Sequence, residues 1–229
     1  MFVMIVLAAA HIGFWGCGIA LALQGGTLVL PGAIALALWL GAIGLWLAYV
    51  ARLSTSGWLT GPGVASLPWL WVPSPPVLLS LAGLSLMPVL REAWLAVLAA
   101  LPVIAVPALN VLRVLATGTV IKAWRVQFPR RIGFAVGIPD TLFGLFSAFI
   151  ALSGGFHSEL LEVIWNITGL AILLMMIPMV FTVLRQPRLD APGKGPARSI
   201  LAFPIVLAPA GLATLFAILH VLSLYRILG

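Results

Sequence analysis

Acidic side chains are almost missing from this chain. Five Asp and Glu stand among 229 residues, against twelve Lys and Arg. Charged residues of both signs make up only 7% of the sequence, apolar residues make up 63%, and the mean hydropathy is +1.22. So little charge cannot cover a water-soluble globule, which excludes the soluble class. A formal net charge of +7 would suggest nucleic acid in a soluble protein. Here the basic residues fall between long apolar runs, where they report orientation in a membrane, and no nucleic-acid partner is expected. A single cysteine, Cys17, excludes an intramolecular disulfide and any cysteine-built metal cluster within one chain. The only lysines, Lys122 and Lys194, lie at a helix end and in a loop, so a retinal Schiff base has no intramembrane candidate. The chain also lacks HExxH, a GxxxxGK loop, paired carboxylates with histidine at metal-ligand spacing and a nucleophile in a Ser-His-Asp setting. Neither a metal nor a cofactor is expected.

What is present is a series of apolar runs broken by short polar or proline-rich stretches. The runs predict an all-α, polytopic transmembrane helix bundle forming one domain over 1–229. About seven spans are expected, over 1–23, 27–51, 77–90, 101–124, 132–152, 160–184 and 200–225. The first run lacks the basic region and small-residue cleavage site of a removed signal peptide, so it is read as a span. Segment 77–90 is short for a crossing; read as a thin or tilted helix it makes seven spans, read as re-entrant it leaves six. Residues 53–76 carry too many prolines and glycines for a spanning helix, and Trp58, Trp69 and Trp71 suit a connection along the interface. Residues 185–199 (RQPRLDAPGKGPARS) form the one clearly polar loop, and it is basic.

Orientation follows from the cations. With seven spans and the N-terminus inside, Arg52, Lys122, Arg125, Arg130, Arg131, Arg185, Arg188, Lys194 and Arg198 face the cytoplasm. Only Arg91 and Arg226 face the opposite side. Nine against two is a strong positive-inside bias, placing the N-terminus in the cytoplasm and the C-terminus outside. Should segment 77–90 fail to cross, only the first two spans would invert.

Two charges lie inside apolar runs: Arg113 and Asp140. A lone charge in hydrocarbon is costly and turns to the bundle interior, a partner or water. At 1.5 Å of rise per residue, Arg113 lies roughly 16 Å and Asp140 roughly 12 Å from the cytoplasmic ends of consecutive antiparallel helices. An ion pair between them is expected. Pro107 and Pro139 flank the two charges, and each should free a backbone carbonyl, with Pro107 kinking its helix. Irregular backbone at depth is tolerated where it lines a cavity. Nearer the outer face, Asn166, Glu162 one turn earlier, and His220 can meet in depth, as a polar cluster or as separate interfacial groups. His11 is mid-span with no obvious partner and is expected to be a hydrogen-bonded structural histidine rather than a ligand, although with His220 it could ligate haem.

The run Asn110-Val111-Leu112-Arg113-Val114-Leu115, then Gly137-Ile138-Pro139-Asp140 with Gly144, then Trp165-Asn166-Ile167-Thr168-Gly169, resembles a family of uncharacterised bacterial polytopic membrane proteins. The tail agrees, with Pro204-Ile205-Val206-Leu207-Ala208-Pro209 followed by Leu219-His220-Val221-Leu222-Ser223-Leu224. The likeness covers about 77–225. It implies that Arg113, Asp140, Trp165, Asn166 and His220 recur in that order and that the polar positions form one interior network. It also implies the bacterial inner membrane as the location, and it implies no activity. Asn110 stands where a glutamine is expected, and Ile138-Pro139 replaces a smaller pair, which alters the lining beside the charges.

The leading functional expectation is a protein that handles a small solute or ion at an interior polar site made by Arg113 and Asp140 with Asn110, Asn166, His220 and Glu162. One alternative is a non-catalytic scaffold or assembly subunit of a membrane complex; another is a membrane-embedded enzyme acting on a lipid-like substrate through His220. Expected partners are membrane lipids, a small solute or lipid ligand, and either a membrane-protein partner or a second copy of the chain.

Overall fold

The computed structural model describes residues 2–60, 72–184 and 199–229. Every regular element among them is a helix. Six are long and apolar enough to cross a membrane: α1 (Phe2–Gln24), α2 (Leu30–Thr55), α5 (Ala105–Trp124), α6 (Arg130–Leu152), α7 (Glu159–Leu184) and α8 (Ala208–Leu228). Between α2 and α5 lie two shorter helices, α3 (Ser74–Leu86) and α4 (Pro88–Ala100), bent by 97°. The chain is therefore a polytopic helix bundle with six such helices, or seven passes if the bent pair is one. Residues 61–71, the centre of the expected interfacial loop with Trp69 and Trp71, and residues 185–198 of the basic loop lie outside the described residues.

Proline accounts for where several helices start and stop. Met87 precedes Pro88 and is held at φ −120°, ψ 82°, because the proline ring bars the preceding residue from helical geometry. The single segment expected over 77–90 is thus two helices joined at a corner. Leu101, before Pro102, is likewise extended at ψ 147°. In consequence α5 begins at Ala105 rather than at 101, and Pro107 sits in its first turn, where a missing N–H costs little. The last helix begins at Ala208, after turns over 199–207 that contain Pro204; a π turn over Ala208–Leu212 opens it.

Two sets of contacts define the ends of the bundle. At one end Ser54 donates to the Leu201 carbonyl at 2.8 Å, and Val50, Leu59, Val72 and Val206 pack around Leu201. Ala123, Phe128, Ile132 and Ile200 cluster with Val180 at the same end. It also carries Arg52, Lys122, Arg125, Arg130 and Arg131, and is called the basic end below. At the other end Gly18 lies against Val97 and Leu101, Gly155 lies against Val103, and Arg226 pairs with Glu162 at 2.9 Å. The bent pair starts beside Val72 at the basic end and finishes at Leu101 at the opposite one. Bent by 97°, it is either one broken pass or a re-entrant pair.

The outside of the bundle is as apolar as its interior. Leu38, Leu45, Phe149, Leu160, Ile167 and Leu174 all point outwards, the arrangement expected when the surrounding solvent is hydrocarbon. Inside, Trp15, Trp39 and Trp94 pack edge to face, with centroids 5.5 and 5.0 Å apart, tying α1, α2 and α4 together. The most enclosed of the long helices is α8, and it brings His220 to the centre.

If the bent pair is one pass, the two termini lie on opposite faces of the membrane. Tags on the N- and C-termini should then show opposite accessibility to an impermeant reagent in sealed cells. Equal accessibility would mean that the α3–α4 pair re-enters instead.

Candidate functional site

The geometry around Arg113 begins with two interruptions of regular helix. In α5 the turns over Val111–Ala116 tighten to a 3-10 helix, between regular α turns over Ala105–Asn110 and Thr117–Trp124. In α6 the first turns end at Ala135, Val136 departs to φ −109°, and a second helix starts at Gly137. Pro139 thus falls in a first turn, so it interrupts no established ladder. Asp140 falls in that same turn, where a helix N-terminus favours a carboxylate.

Glycine lets the two interrupted stretches touch. A Cβ on Gly144 would strike the backbone of Arg113 and Val114. Gly133 and Gly137 lie in the same way against Ala123 and Thr119. The α5 and α6 backbones can close to contact only because these positions carry no side chain, a common device for packing helices in lipid. Asp140, one turn before Gly144, is thereby carried to the guanidinium.

The guanidinium is almost fully engaged. Nε–H donates to Asp140 Oδ1 at 2.6 Å, Nη1 donates to His220 Nε2 at 3.1 Å and, at the long limit of 3.5 Å, to Asn110 Oδ1, and Nη2 donates to the Gly169 carbonyl at 3.2 Å. Phe143 covers its face with Cζ 4.2 Å from the ring centroid, a cation–π contact. Four of the five N–H groups of the fork thus have acceptors. Arg113 has no acceptor capacity, so it fixes the histidine: Nε2 accepts, and Nδ1–H must donate to Asn166 Oδ1, 3.0 Å away. Asn166 then passes the direction on, its amide donating to the Glu162 carbonyl at 2.9 Å. A polar chain runs from Asp140 through Arg113, His220 and Asn166, across α6, α5, α8 and α7.

Aromatic packing holds this chain in place. Trp165 stacks on Phe143 at 5.0 Å and meets the His220 ring at 4.9 Å. Its indole N–H donates to Ser147 Oγ, which itself donates to the Phe143 carbonyl. A Cβ on Gly169 would stand 2.5 Å from His220 Nε2 and 2.6 Å from Phe143.

The structure therefore brings Arg113, Asp140, Asn110, Asn166 and His220 together and leaves the Glu162 carboxylate out. That carboxylate pairs with Arg226 at the end opposite the basic one, and only the Glu162 backbone carbonyl meets the chain. His11 is buried edge-on against Phe216, 4.5 Å between centroids, and neither ring nitrogen has a partner among the described residues. Both His220 nitrogens are committed, so His220 does not join His11 as a ligand, and the hydrogen bond expected of His11 is absent among the described residues. Among the described residues no three His, Cys, Asp or Glu side chains group as a metal site would need. Gly169, Phe143 and Ser147 were not singled out from the sequence. Their signal was available in spacing alone, since Phe143 and Ser147 lie one and two turns after Asp140, and Gly169 one turn after Trp165.

Towards the basic end the polar chain borders a cavity of about 150 Å³. Its walls come from α1, α5, α6, α7 and α8, and include Leu7, Phe128, Ile132, Leu173, Met176 and Phe216. Arg113 and Asp140 supply its charged groups, unequally: the Asp140 side chain is 20% exposed and that of Arg113 only 2%. The Thr119 hydroxyl on the wall already donates to the Ala116 carbonyl.

Compared with family models, curated proteins and solved structures, the chain matches none. The comparisons thus leave the likeness to a bacterial family at the level of a polytopic all-α architecture.

Arg113→Met should lower stability by about 3–5 kcal/mol, because it leaves a buried carboxylate without its partner. The double variant Arg113→Met/Asp140→Leu should regain part of that loss, since His220 Nε2 and the Gly169 carbonyl still lack their donor. Unfolding in detergent measures both, and a double variant no better than the single one would refute the pairing energetics. Gly169→Ala should cost about 1–3 kcal/mol by overpacking against His220 and Phe143, seen in the same assay.

Proposed function

We propose that this protein handles a small solute through the interior site around Arg113 and Asp140, reached from the basic end of the bundle. One observation carries the reading: the partly exposed Asp140 carboxylate faces an otherwise apolar cavity next to two breaks in regular helix. Broken helices beside a mid-membrane charge are the usual construction of solute sites in transporters. The excess of cations at that end makes it the cytoplasmic one, so the site is reached from the cytoplasm of a bacterial inner-membrane protein. The N-terminus lies inside and the C-terminus outside, and Asn110, Asn166 and His220 hold the arginine that holds the aspartate.

A second reading, a non-catalytic subunit of a membrane complex, is favoured by the near-saturation of Arg113, whose bonds all go to other groups of the bundle. A third reading, a membrane-embedded enzyme acting through His220, is the least favoured. His220 is fully buried, does not border the cavity, and has both nitrogens engaged.

The test is native mass spectrometry of the gently purified chain beside Asp140→Asn and Ala213→Phe, the latter filling the cavity from α8. Wild type should retain a defined small molecule that both variants lose while remaining folded. Retention of the same molecule by both folded variants would sink the solute reading and leave the subunit reading.

A further inference from the structure

Resting on that reading, we infer that the cavity takes a small neutral solute with a hydrogen-bond-donating head, an alcohol or phenol, whose hydroxyl sits on Asp140. Three observations select this class.

The first is which partner is free. Arg113 spends four of its five N–H groups on Asp140, Asn110, His220 and Gly169, and its face is under Phe143. Asp140 accepts one bond from Arg113 Nε at Oδ1, and its side chain is the more exposed of the two. Oδ2 has no side-chain or backbone donor among the described residues. The polar group offered to the cavity is therefore an acceptor, and the head that meets it must donate.

The second is net charge. Arg113 and Asp140 together are neutral. A cationic head would leave the site with a net charge of +1 inside apolar walls, and an anionic head would add a second negative charge beside Asp140 while finding the guanidinium occupied. Either ion would be desolvated at several kcal/mol without a full partner. A neutral donor satisfies Oδ2 and adds no charge.

The third is size and lining. A cavity of about 150 Å³ walled by Leu7, Leu173, Met176 and Phe216 matches the space in which an apolar pocket holds a benzene-sized body. The Thr119 hydroxyl, spent on Ala116, offers no competing donor. An aromatic or short alkyl body with one hydroxyl fits both the volume and the polarity.

Benzyl alcohol and anisole are isomers of nearly equal size that differ in having the donor. Calorimetry on the full chain in lipid nanodiscs, with empty discs subtracted, should show benzyl alcohol binding on the order of tenfold or more tighter than anisole, the worth of a hydrogen bond to a charged acceptor. Benzylammonium and benzoate should both bind more weakly than the alcohol. Asp140→Asn should shrink the alcohol-over-ether ratio towards one, and Ala213→Phe, which leaves the charge pair intact, should abolish binding of both isomers. Equal binding of alcohol and ether, or tighter binding of either ion, overturns the proposed class while the loss in Ala213→Phe keeps the solute-handling reading. No binding of any probe to wild type, with Ala213→Phe indistinguishable from it, overturns both.

Discussion

A charge pair in hydrocarbon is the constraint on which the rest of this bundle depends. Buried alone at that depth, each of Arg113 and Asp140 would have shed its water without compensation, at a cost of several kcal/mol. Together they are tolerable only at contact, and contact between side chains on neighbouring helices demands that the backbones come close. Gly133, Gly137 and Gly144 supply that closeness, and the 3-10 winding of Val111–Ala116 and the break at Val136 set the two side chains facing each other. The pair thereby fixes the register of α5 against α6. Its remaining donors then reach outwards, to the Gly169 carbonyl on α7 and to His220 on α8. Four of the long helices are held by one guanidinium.

The pair is also unequal, and the inequality has chemical consequences. Every bond that anchors Arg113 removes a donor that a ligand could have used, and it imposes a direction on the groups beyond. An arginine can only donate, so His220 must accept at Nε2 and donate at Nδ1, and Asn166 must turn its oxygen to the ring. That order suits a rigid support and opposes both proton relay and metal ligation at the histidine. Asp140 carries the spare capacity. A site with a nearly saturated cation and a half-open anion presents an acceptor to its cavity, the reverse of an anion-holding arginine.

Much of this could be read from the residues. Long apolar runs and scarce charge define a helix bundle in lipid because, of the two backbone arrangements that satisfy their own hydrogen bonds there, only the helix, not the closed β-barrel, uses uninterrupted apolar runs of about 20 residues. Arg113 and Asp140 stood out because ionisable groups in such runs are expensive, and their depths on adjacent antiparallel helices put them in reach. The motif order from Asn110 to His220 pointed to the polar groups that do meet. Helix starts were less legible. The same prolines can kink a helix, open it or end it, and Pro107 and Pro139 turned out to lie in first turns. The α3–α4 corner is legible in Met87-Pro88 only once one knows that the helix continues on both sides.

Chemistry and spacing along the chain thus determine the architecture, the buried ion pair and which end is basic, since these depend on composition, periodicity and depth. Which faces meet was decided by tertiary packing. Depth alone would let Glu162 join Asn166 and His220, yet the Asn166 amide takes the Glu162 backbone carbonyl and the carboxylate turns to the cation of Arg226 on the last helix, a partner that only the packing of α7 against α8 supplies. The cavity, too, belongs to the fold alone. Its walls come from five helices scattered over more than two hundred residues, and no local pattern records an empty space that exists only where distant apolar side chains fail to touch.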